Sequence, residues 1–311
     1  MFMKIISLFC GAGGLDLGLI TAGNEVIWAV DFNEDAVNTY NSNIGNHAIC
    51  DDIRNINFDF VPDADVIVGG FPCQGFSVAN LRRNVDDERN ILYLEFIRAI
   101  KAKKPKYFIA ENVKGILSLD KGNVIKKIIQ DFSEIGYLVD KKLFNMADYG
   151  VPQTRQRVII VGQRKDLGDT FQFQFPKPTH NKTGPLKSWV SIKDALDHFP
   201  NPDQPNDIPN HVYSAYGVKY RNFTAHRPTN PDYPSPTILA RGNGKGGVCA
   251  IPHYNGKRRL TVRESAAVQT FPDSYEFKGS MTSCYRQVGN AVPPLFGELL
   301  GKELKRLETE E

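Results

Sequence analysis

Short apolar runs alternate with amphipathic stretches through the first half of the chain. The runs at 4–9, 26–30, 66–68, 107–110 and 158–161 are rich in Ile, Val, Phe and Ala and have strand length. Between them, residues 15–21, 33–43, 92–102 and 124–135 place apolar side chains at helical spacing. Strands that alternate with helices predict βαβ units, and therefore an α/β fold with a doubly wound, mostly parallel sheet.

Near Phe175 the pattern changes. Eleven of the 19 prolines fall between Pro176 and Pro236, among Asn, Asp and His, and helical periodicity is lost. So dense a set of breakers predicts a separate, irregular, loop-rich unit rather than more sheet. Helical spacing resumes with "TVRESAAVQTF" at Thr261. The expected organisation is therefore one domain built from 1–175 plus 261–311, with a smaller domain, 176–260, inserted into it.

Composition narrows the class. A chain of 311 residues with 41% hydrophobic content can bury a full core, which excludes disorder. Cys10, Cys50, Cys73, Cys249 and Cys284 form no CxxC pair, and their odd number gives neither a disulfide framework nor a metal site. A reducing, cytoplasmic setting is expected. "MFMKIISLFCGAGG" superficially suggests a leader, but it has one early Lys and an Asp at 16, and no apolar run reaches membrane-span length. The net charge of +3 is too small to point to nucleic acid without a look at its distribution.

The first chemical signal is "SLFCGAGGLDLG", a strand that runs into a glycine turn and then a helix. Gly11, Gly13 and Gly14 permit positive φ and close ligand approach, and the helix start offers free N–H groups. The turn is either a plain tight turn or a ligand cradle. Asp31, at the end of the next strand, is placed where an acid binds ribose hydroxyls in nucleotide-binding folds. Asp52 and Ile53 have two readings, a purine edge and face or a solvated turn acid beside a core isoleucine. No Gly-Lys-Ser/Thr follows the glycines, so a nucleoside without phosphates fits better than a nucleotide triphosphate.

Three further strand ends carry reactive groups. "GGFPCQGFS" puts Cys73 behind a proline in a glycine-rich loop, "YFIAENV" puts Glu111 just past an apolar strand, and "QTRQR" alternates Arg155 with Arg157. Ligands bind at the carboxyl ends of strands in open α/β sheets, and alternating residues before a strand point the same way. A thiol alone is most often an inert core group. A thiol, a carboxyl and two guanidiniums on successive strand ends are more than stability needs.

In this order, "SLFCGAGGLDLG", "GGFPCQGFS", "ENV", "QTRQR", "RRLTVRESAAVQTFPD" and "QVGNAVPP" resemble the S-adenosylmethionine-dependent DNA (cytosine-5) methyltransferases of bacteria. The resemblance spans the chain apart from most of 176–236. It implies Cys73 as nucleophile, Glu111 facing cytosine N3 and N4, and Arg157 on the base O2, with Arg155 and Gln74 supporting the pocket and the DNA backbone. For S-adenosylmethionine it implies Phe9 and the Gly11 to Gly14 turn around the methionine moiety, Asp31 on the ribose, Asp52 and Ile53 on the adenine, and closure by Asn290 and Val292. Asp31 stands where the family usually has glutamate, and Thr237-Ile238 where Thr-Leu is usual.

The expected chemistry explains these residue types. Cytosine C5 is a poor nucleophile until a thiolate adds to C6, and a carboxyl held protonated can donate to N3 as charge develops there. A base inside a duplex must first be flipped out. The loop after Cys73, with Ser77, Arg82, Arg83 and Arg89, is expected to face phosphates. "ARGNGKGGVCAIPHYNGKRRLTVR" holds Arg241, Lys245, Lys257, Arg258, Arg259 and Arg263 without an acid, and phosphate contacts are expected for most of them. Arg241, beside Thr237-Ile238, is the expected base reader. His211 and His226 are read as surface or structural groups.

The partner so implied is double-stranded DNA, with a cognate restriction endonuclease acting separately and no membrane. Bound to DNA, the protein would lie on the bacterial nucleoid. Two alternatives differ in class. A tRNA cytosine-5 methyltransferase shares most motifs, but such relatives usually carry Cys-Phe-Thr where this chain has Asn222-Phe223-Thr224. A non-enzymatic DNA binder on the same fold is opposed by Cys73, Glu111, Arg155 and Arg157 all being present.

Overall fold

The computed structural model describes residues 2–71, 88–213, 229–240 and 250–310. Its centre is a seven-stranded sheet of β1 (Lys4–Leu8), β2 (Glu25–Asp31), β3 (Ala48–Cys50), β4 (Val66–Gly69), β5 (Tyr107–Val113), β6 (Tyr137–Asn145) and β8 (Gln156–Arg164), in the spatial order β3-β2-β1-β4-β5-β8-β6. A two-residue strand, β7 (Gln153–Thr154), precedes β8. Strands β1 to β5 run parallel, and β8 lies antiparallel between β5 and β6. The mostly parallel, doubly wound α/β sheet is as the pattern predicts. Chain direction across the sheet reverses between β1 and β4, so Phe9 and Gly70 leave their strands on either side of the switch point, where open sheets bind ligands.

Pleat alternation assigns the two faces. Ile6, Leu8, Ile67, Phe108, Val158 and Ile160 point to one side, against α3 (Glu88–Lys103) and α4 (Asn123–Glu134). Ile5, Val66, Val68, Ile109, Ile159 and Val161 point to the other. There they meet α1 (Gly14–Thr21), α2 (Glu34–Asn43) and α8 (Pro294–Glu310). Both faces are covered, which is why these strands read as continuous apolar runs.

The described part of 176–260 is irregular, as its prolines predict. It holds β9 (His180–Asn181) paired with β10 (Lys187–Ser188), α5 (Ile192–Leu196), and β11 (Ser235–Pro236), which pairs with β7. Ile192, Leu196, Ile238 and Leu260 share one core with Val262, Ala266, Phe271, Tyr275 and Val288. These last residues come from α6 (Val262–Val268), α7 (Met281–Asn290) and their connection. The C-terminal stretch therefore divides: α6 and α7 pack with the irregular region, and α8 packs on α1. Thr261 opens α6 as a capping box with Glu264. Among the described residues, no helix is long and apolar enough to cross a membrane.

Candidate active site

Glu111 and Arg157 meet across the β5–β8 ladder. In that register Glu111 faces Ile159 and Val113 faces Arg157, so the two charged residues are diagonal neighbours on one side of the sheet. Glu111 Oε1 lies 2.6 Å from Arg157 Nε, and each side chain is only 13% exposed. Arg157 also donates from Nη1 to the Gln156 carbonyl. On the other side of Glu111, a Cβ built on Gly70 would come within 3.2 Å of Oε2, so glycine leaves room for the carboxyl.

Asn112, next to Glu111, anchors the neighbouring loop. Its buried amide donates to the Phe71 carbonyl at 2.9 Å, and Phe71 itself is in the core. Phe71, two residues before Cys73 in sequence, is thereby tied to the carboxyl-bearing strand. Cys73, Gln74, Ser77, Arg82, Arg83, Arg241 and Lys245 lie outside the described residues, as does His226. Arg89 falls in α3, with its side chain also outside them.

Arg155 is placed differently from its neighbour. It is 1% exposed, and its two terminal nitrogens donate to the carbonyls of Ile238 and Gly289, each at 3.1 Å. Burial, and then the charge of Arg157, push its pKa down to about 9, against a smaller upward pull from Glu111. A group so enclosed cannot touch the DNA backbone, which corrects that part of the expectation. The side chain instead ties the 237–240 segment to the C-terminal end of α7, where a cation is favourable. Gln153 completes the tie. It accepts from Ile238 N at 2.8 Å and donates to Gln269, which in turn donates to the Val288 and Ala291 carbonyls. Thr237 spends its hydroxyl on the Thr154 carbonyl.

The glycine turn lies at the end of β1. Phe9 (φ 55), Gly11 (φ 53) and Gly13 (φ 78) are all left-handed, and Gly13 is the residue before α1. A Cβ on Gly11 would meet nothing within 4 Å, so the turn faces open space there. Gly14 is the opposite case, with the Val292 carbonyl 2.4 Å from where a Cβ would sit. The C-terminal segment thus closes onto the turn, with Val292 buried and Asn290 exposed.

Asp31 holds both sides of this cradle. Its Oδ2 accepts from Gly11 N and its Oδ1 from Asn33 N, each at 2.9 Å. Burial raises its pKa, and the hydrogen bonds from Asn33 and Gly11 oppose that. Each oxygen keeps a lone pair for a further donor. Asp52 caps the short turn after β3 and pairs with Arg54, which lowers its pKa. Ile53 is 4% exposed and sits in the core, as the second of its two readings had it. The apolar surface at this edge belongs instead to Phe32, 74% exposed beside Asp31 and missed in the sequence. The signal was an aromatic directly after the strand-end acid.

The basic segment needs the largest correction. Arg258 and Arg259 were expected on phosphates, yet they are 6% and 3% exposed. Arg258 makes two 2.7 Å bonds to the carboxylate of Glu264, one residue beyond the acid-free stretch, and Arg259 lies 4.4 Å over the Tyr285 ring. Arg263 is buried on the carbonyls of Asp273 and Tyr275, whereas Lys257 is exposed. His211 is buried between Thr261 Oγ1 and the Pro200 carbonyl, a structural group.

Comparison with known proteins gives one answer. The family model described as C-5 cytosine-specific DNA methylase matches residues 3–306. Type II methyltransferase M.NgoFVII of Neisseria gonorrhoeae is 42% identical over 94% of this chain and 83% of its own length. Type II methyltransferase M.FnuDI of Fusobacterium nucleatum is 38% identical over 99% of this chain and 96% of its own. Among solved structures, an E. coli prophage protein described as a candidate DNA modification methyltransferase superposes with a TM-score of 0.76 at 26% identity, covering 99% of both chains. The S. pombe Dnmt2 methyltransferase shares the fold, with a TM-score of 0.72 at 21% identity over 98% of this chain and 99% of that one.

Proposed function

We proceed from the chain's membership of the C-5 cytosine-specific DNA methylase family, as a DNA (cytosine-5) methyltransferase, and propose how its residues divide the reaction. The observation that carries the proposal is the Glu111–Arg157 pair, enclosed where the end of β5 meets the start of β8, beside Phe71, whose carbonyl Asn112 holds.

Cys73 is the nucleophile. Its thiolate adds to C6 of a flipped cytosine, the C5–C6 π electrons become available at C5, and charge spreads towards N3. Glu111 receives N3 and N4 and, once protonated, donates to N3. Arg157 moves its charge from Glu111 to the base O2. After methylation, loss of the C5 proton and expulsion of the Cys73 thiolate restore the aromatic ring. Arg155 is a positioning residue, since both its bonds go to backbone carbonyls, those of Ile238 and Gly289.

The residues at the glycine turn fit S-adenosylmethionine. Gly11 faces open space, Asp31 keeps acceptor capacity at the strand end, and Phe32 offers an exposed ring beside it. When bound, the cofactor supplies an electrophilic methyl on sulfur and leaves as S-adenosylhomocysteine. Asp31 would hold the ribose hydroxyls and Phe32 would cover the adenine face. Asp52 would serve the adenine edge, and Asn290 and Val292 would close the methionine end.

The substrate is double-stranded DNA at a specific short site, and the enzyme serves as the modification half of a restriction-modification system. The curated relatives named Type II methyltransferases support this, whereas the tRNA alternative has less behind it. The 176–260 region, with the 237–240 segment held by Gln153 and Arg155, acts as the target-recognition domain. The test is bisulfite sequencing of DNA from cells that express the chain. Conversion-resistant cytosines at one short motif are expected, and fully converted DNA would overturn the reading.

A further inference from the structure

One extended segment, 275–278, joins three parts of the molecule that are far apart in sequence. At its first residue, the Tyr275 hydroxyl donates to the Ala12 carbonyl at 2.6 Å, inside the glycine turn. Burial raises the Tyr275 pKa, so the phenol stays a protonated donor. At the second residue, Asn43 of α2 pairs with the Glu276 backbone, accepting its N–H and donating to its carbonyl, each at 2.9 Å. At the third, Asn210 of the irregular region makes the same double contact with Phe277, at 2.7 and 3.0 Å. Lys278 N then donates to Thr39 of α2 at 2.8 Å.

The Asn43, Asn210 and Thr39 contacts read the segment's backbone rather than its side chains, so they fix where it lies, and the Tyr275 side chain then reaches the turn. Asn210 is itself built for the purpose. Its φ of 62 is one that asparagine tolerates better than most residues, and its own carbonyl accepts from Arg263 N. At the other end, Ala12 stands between two left-handed glycines, a stretch in which the backbone resists little rotation of the intervening peptide. The Tyr275 hydroxyl fixes that peptide by its carbonyl, on the flank of the turn opposite the one held by Asp31 through Gly11 N.

We infer that Tyr275 is a positioning residue for the cofactor turn and that Asn210, in the target-recognition region, is its remote anchor. The inference rests on the glycine turn being the cofactor site. Loosening the segment at either end frees the Ala12–Gly13 peptide, and the cofactor must then order it on binding. The cost falls on cofactor affinity, not on the methyl-transfer step at saturation.

The test uses the full chain and S-adenosylhomocysteine, titrated by calorimetry without DNA. Tyr275→Phe and Asn210→Ala are expected to weaken binding roughly five- to twentyfold, the scale of one or two lost hydrogen bonds. Asn206→Ala, whose bonds stay within its own loop, should leave binding unchanged. In turnover assays the KM for S-adenosylmethionine should rise in the first two variants while kcat holds. Asn210→Asp keeps the acceptor for Phe277 N–H and loses the donor, so it should fall between wild type and Asn210→Ala, and it serves if the alanine variant does not fold. Wild-type affinity in Tyr275→Phe and in the folded Asn210 variant would overturn the inference, as would a loss in kcat with KM unchanged. A wild-type protein that binds no S-adenosylhomocysteine would overturn the cofactor reading beneath it.

Discussion

Glu111 Oε1 and Arg157 Nε stand 2.6 Å apart, so the carboxyl proposed to face the target base is already paired with the guanidinium proposed to face it too. The pair keeps two charges satisfied in a site that is largely closed to water. On the proposed reading, a cytosine that offers O2 to Arg157 and N3 to Glu111 takes over both partners. Glu111→Gln preserves shape and removes the acid. It should lower the single-turnover methylation rate by roughly 10²- to 10⁴-fold, the range for a positioned proton donor, with DNA affinity much less affected. A variant within a few-fold of wild type would remove Glu111 from proton transfer.

Arg258 gives a stability prediction in place of a DNA-binding one. Arg258→Ala would leave the Glu264 carboxylate, 1% exposed, without its bidentate partner. Unfolding by urea should show a loss of about 3–5 kcal/mol, the usual cost of breaking one side of a buried pair. Among the described residues of the basic stretch, exposed Lys257 is the cation placed to meet a phosphate, and its removal should reduce the slope of log K against log salt by about one. A stable Arg258→Ala protein with a flatter salt slope would reverse this assignment.

The contrast between Arg258 and Glu111 shows what the chain made legible. Strands β1, β4, β5 and β8 are buried on both faces, so their apolar runs are continuous and the parallel sheet could be read directly. Strand β6, "YLVDKKLFN", lies at the sheet edge with much of its surface exposed, and it carries no such run. Glu111 stood out as a candidate because a carboxyl after an apolar strand has no packing reason to be there. Arg258 was misread because its acid, Glu264, begins beyond the basic stretch and returns to it only through the α6 turn. Arg155 and Arg157 alternate in sequence, but Arg155 is the break between β7 and β8 whereas Arg157 lies within β8, and so they meet different surroundings. Asn112, Gln153 and Gln269 stood inside recognisable motifs without a role, and Asn210 left no trace, because an amide that binds backbone has no pattern until the chain is folded.

Asp16 should make stability depend on pH. It is 1% exposed beneath the glycine turn, accepts from Ser7 Oγ at 2.8 Å, and burial raises its pKa from 3.8 to about 6. The folded state therefore holds the proton more tightly than the unfolded chain. Nothing is lost below about pH 4; as pH rises through the interval up to 6 the fold is progressively penalised, by up to about 3 kcal/mol above it. Asp16→Asn should gain on wild type across that interval and level off near neutrality. Urea unfolding at several pH values would test this, and a stability difference that does not change with pH would show that Asp16 is not the titrating group.

Asp31→Ala should weaken S-adenosylmethionine binding by about 1–3 kcal/mol, the scale of lost charge-assisted hydrogen bonds to the ribose. Part of that loss comes from the turn, because Gly11 N also loses its acceptor. Phe32→Ala separates the two effects: it removes the exposed ring and touches none of the turn's hydrogen bonds. Calorimetry should find both variants weakened, with DNA affinity nearly constant. Unchanged cofactor affinity in both would move the nucleoside away from this edge.

Two glycines in the same turn are required for opposite reasons, and alanine at each should separate binding from stability. A Cβ on Gly11 meets no atom within 4 Å, but the residue has φ 53 and faces the open cradle. Gly11→Ala should therefore cost about 1–2 kcal/mol of stability from backbone strain. Its larger effect should be on the cofactor, which would have to share the cradle with a methyl group. Gly14 has an ordinary helical backbone, yet its Cβ would sit 2.4 Å from the Val292 carbonyl and 2.9 Å from the Phe271 ring. Neither neighbour can yield cheaply, since one is backbone and the other is packed in the core, so Gly14→Ala should push the C-terminal segment off the turn. Its stability loss should reach or exceed the 1–3 kcal/mol typical of an overpacked core, with cofactor affinity falling as a consequence. Urea unfolding and S-adenosylhomocysteine calorimetry on both variants would decide. A Gly11→Ala protein that binds normally would show that the open side of the turn is not where the cofactor lies.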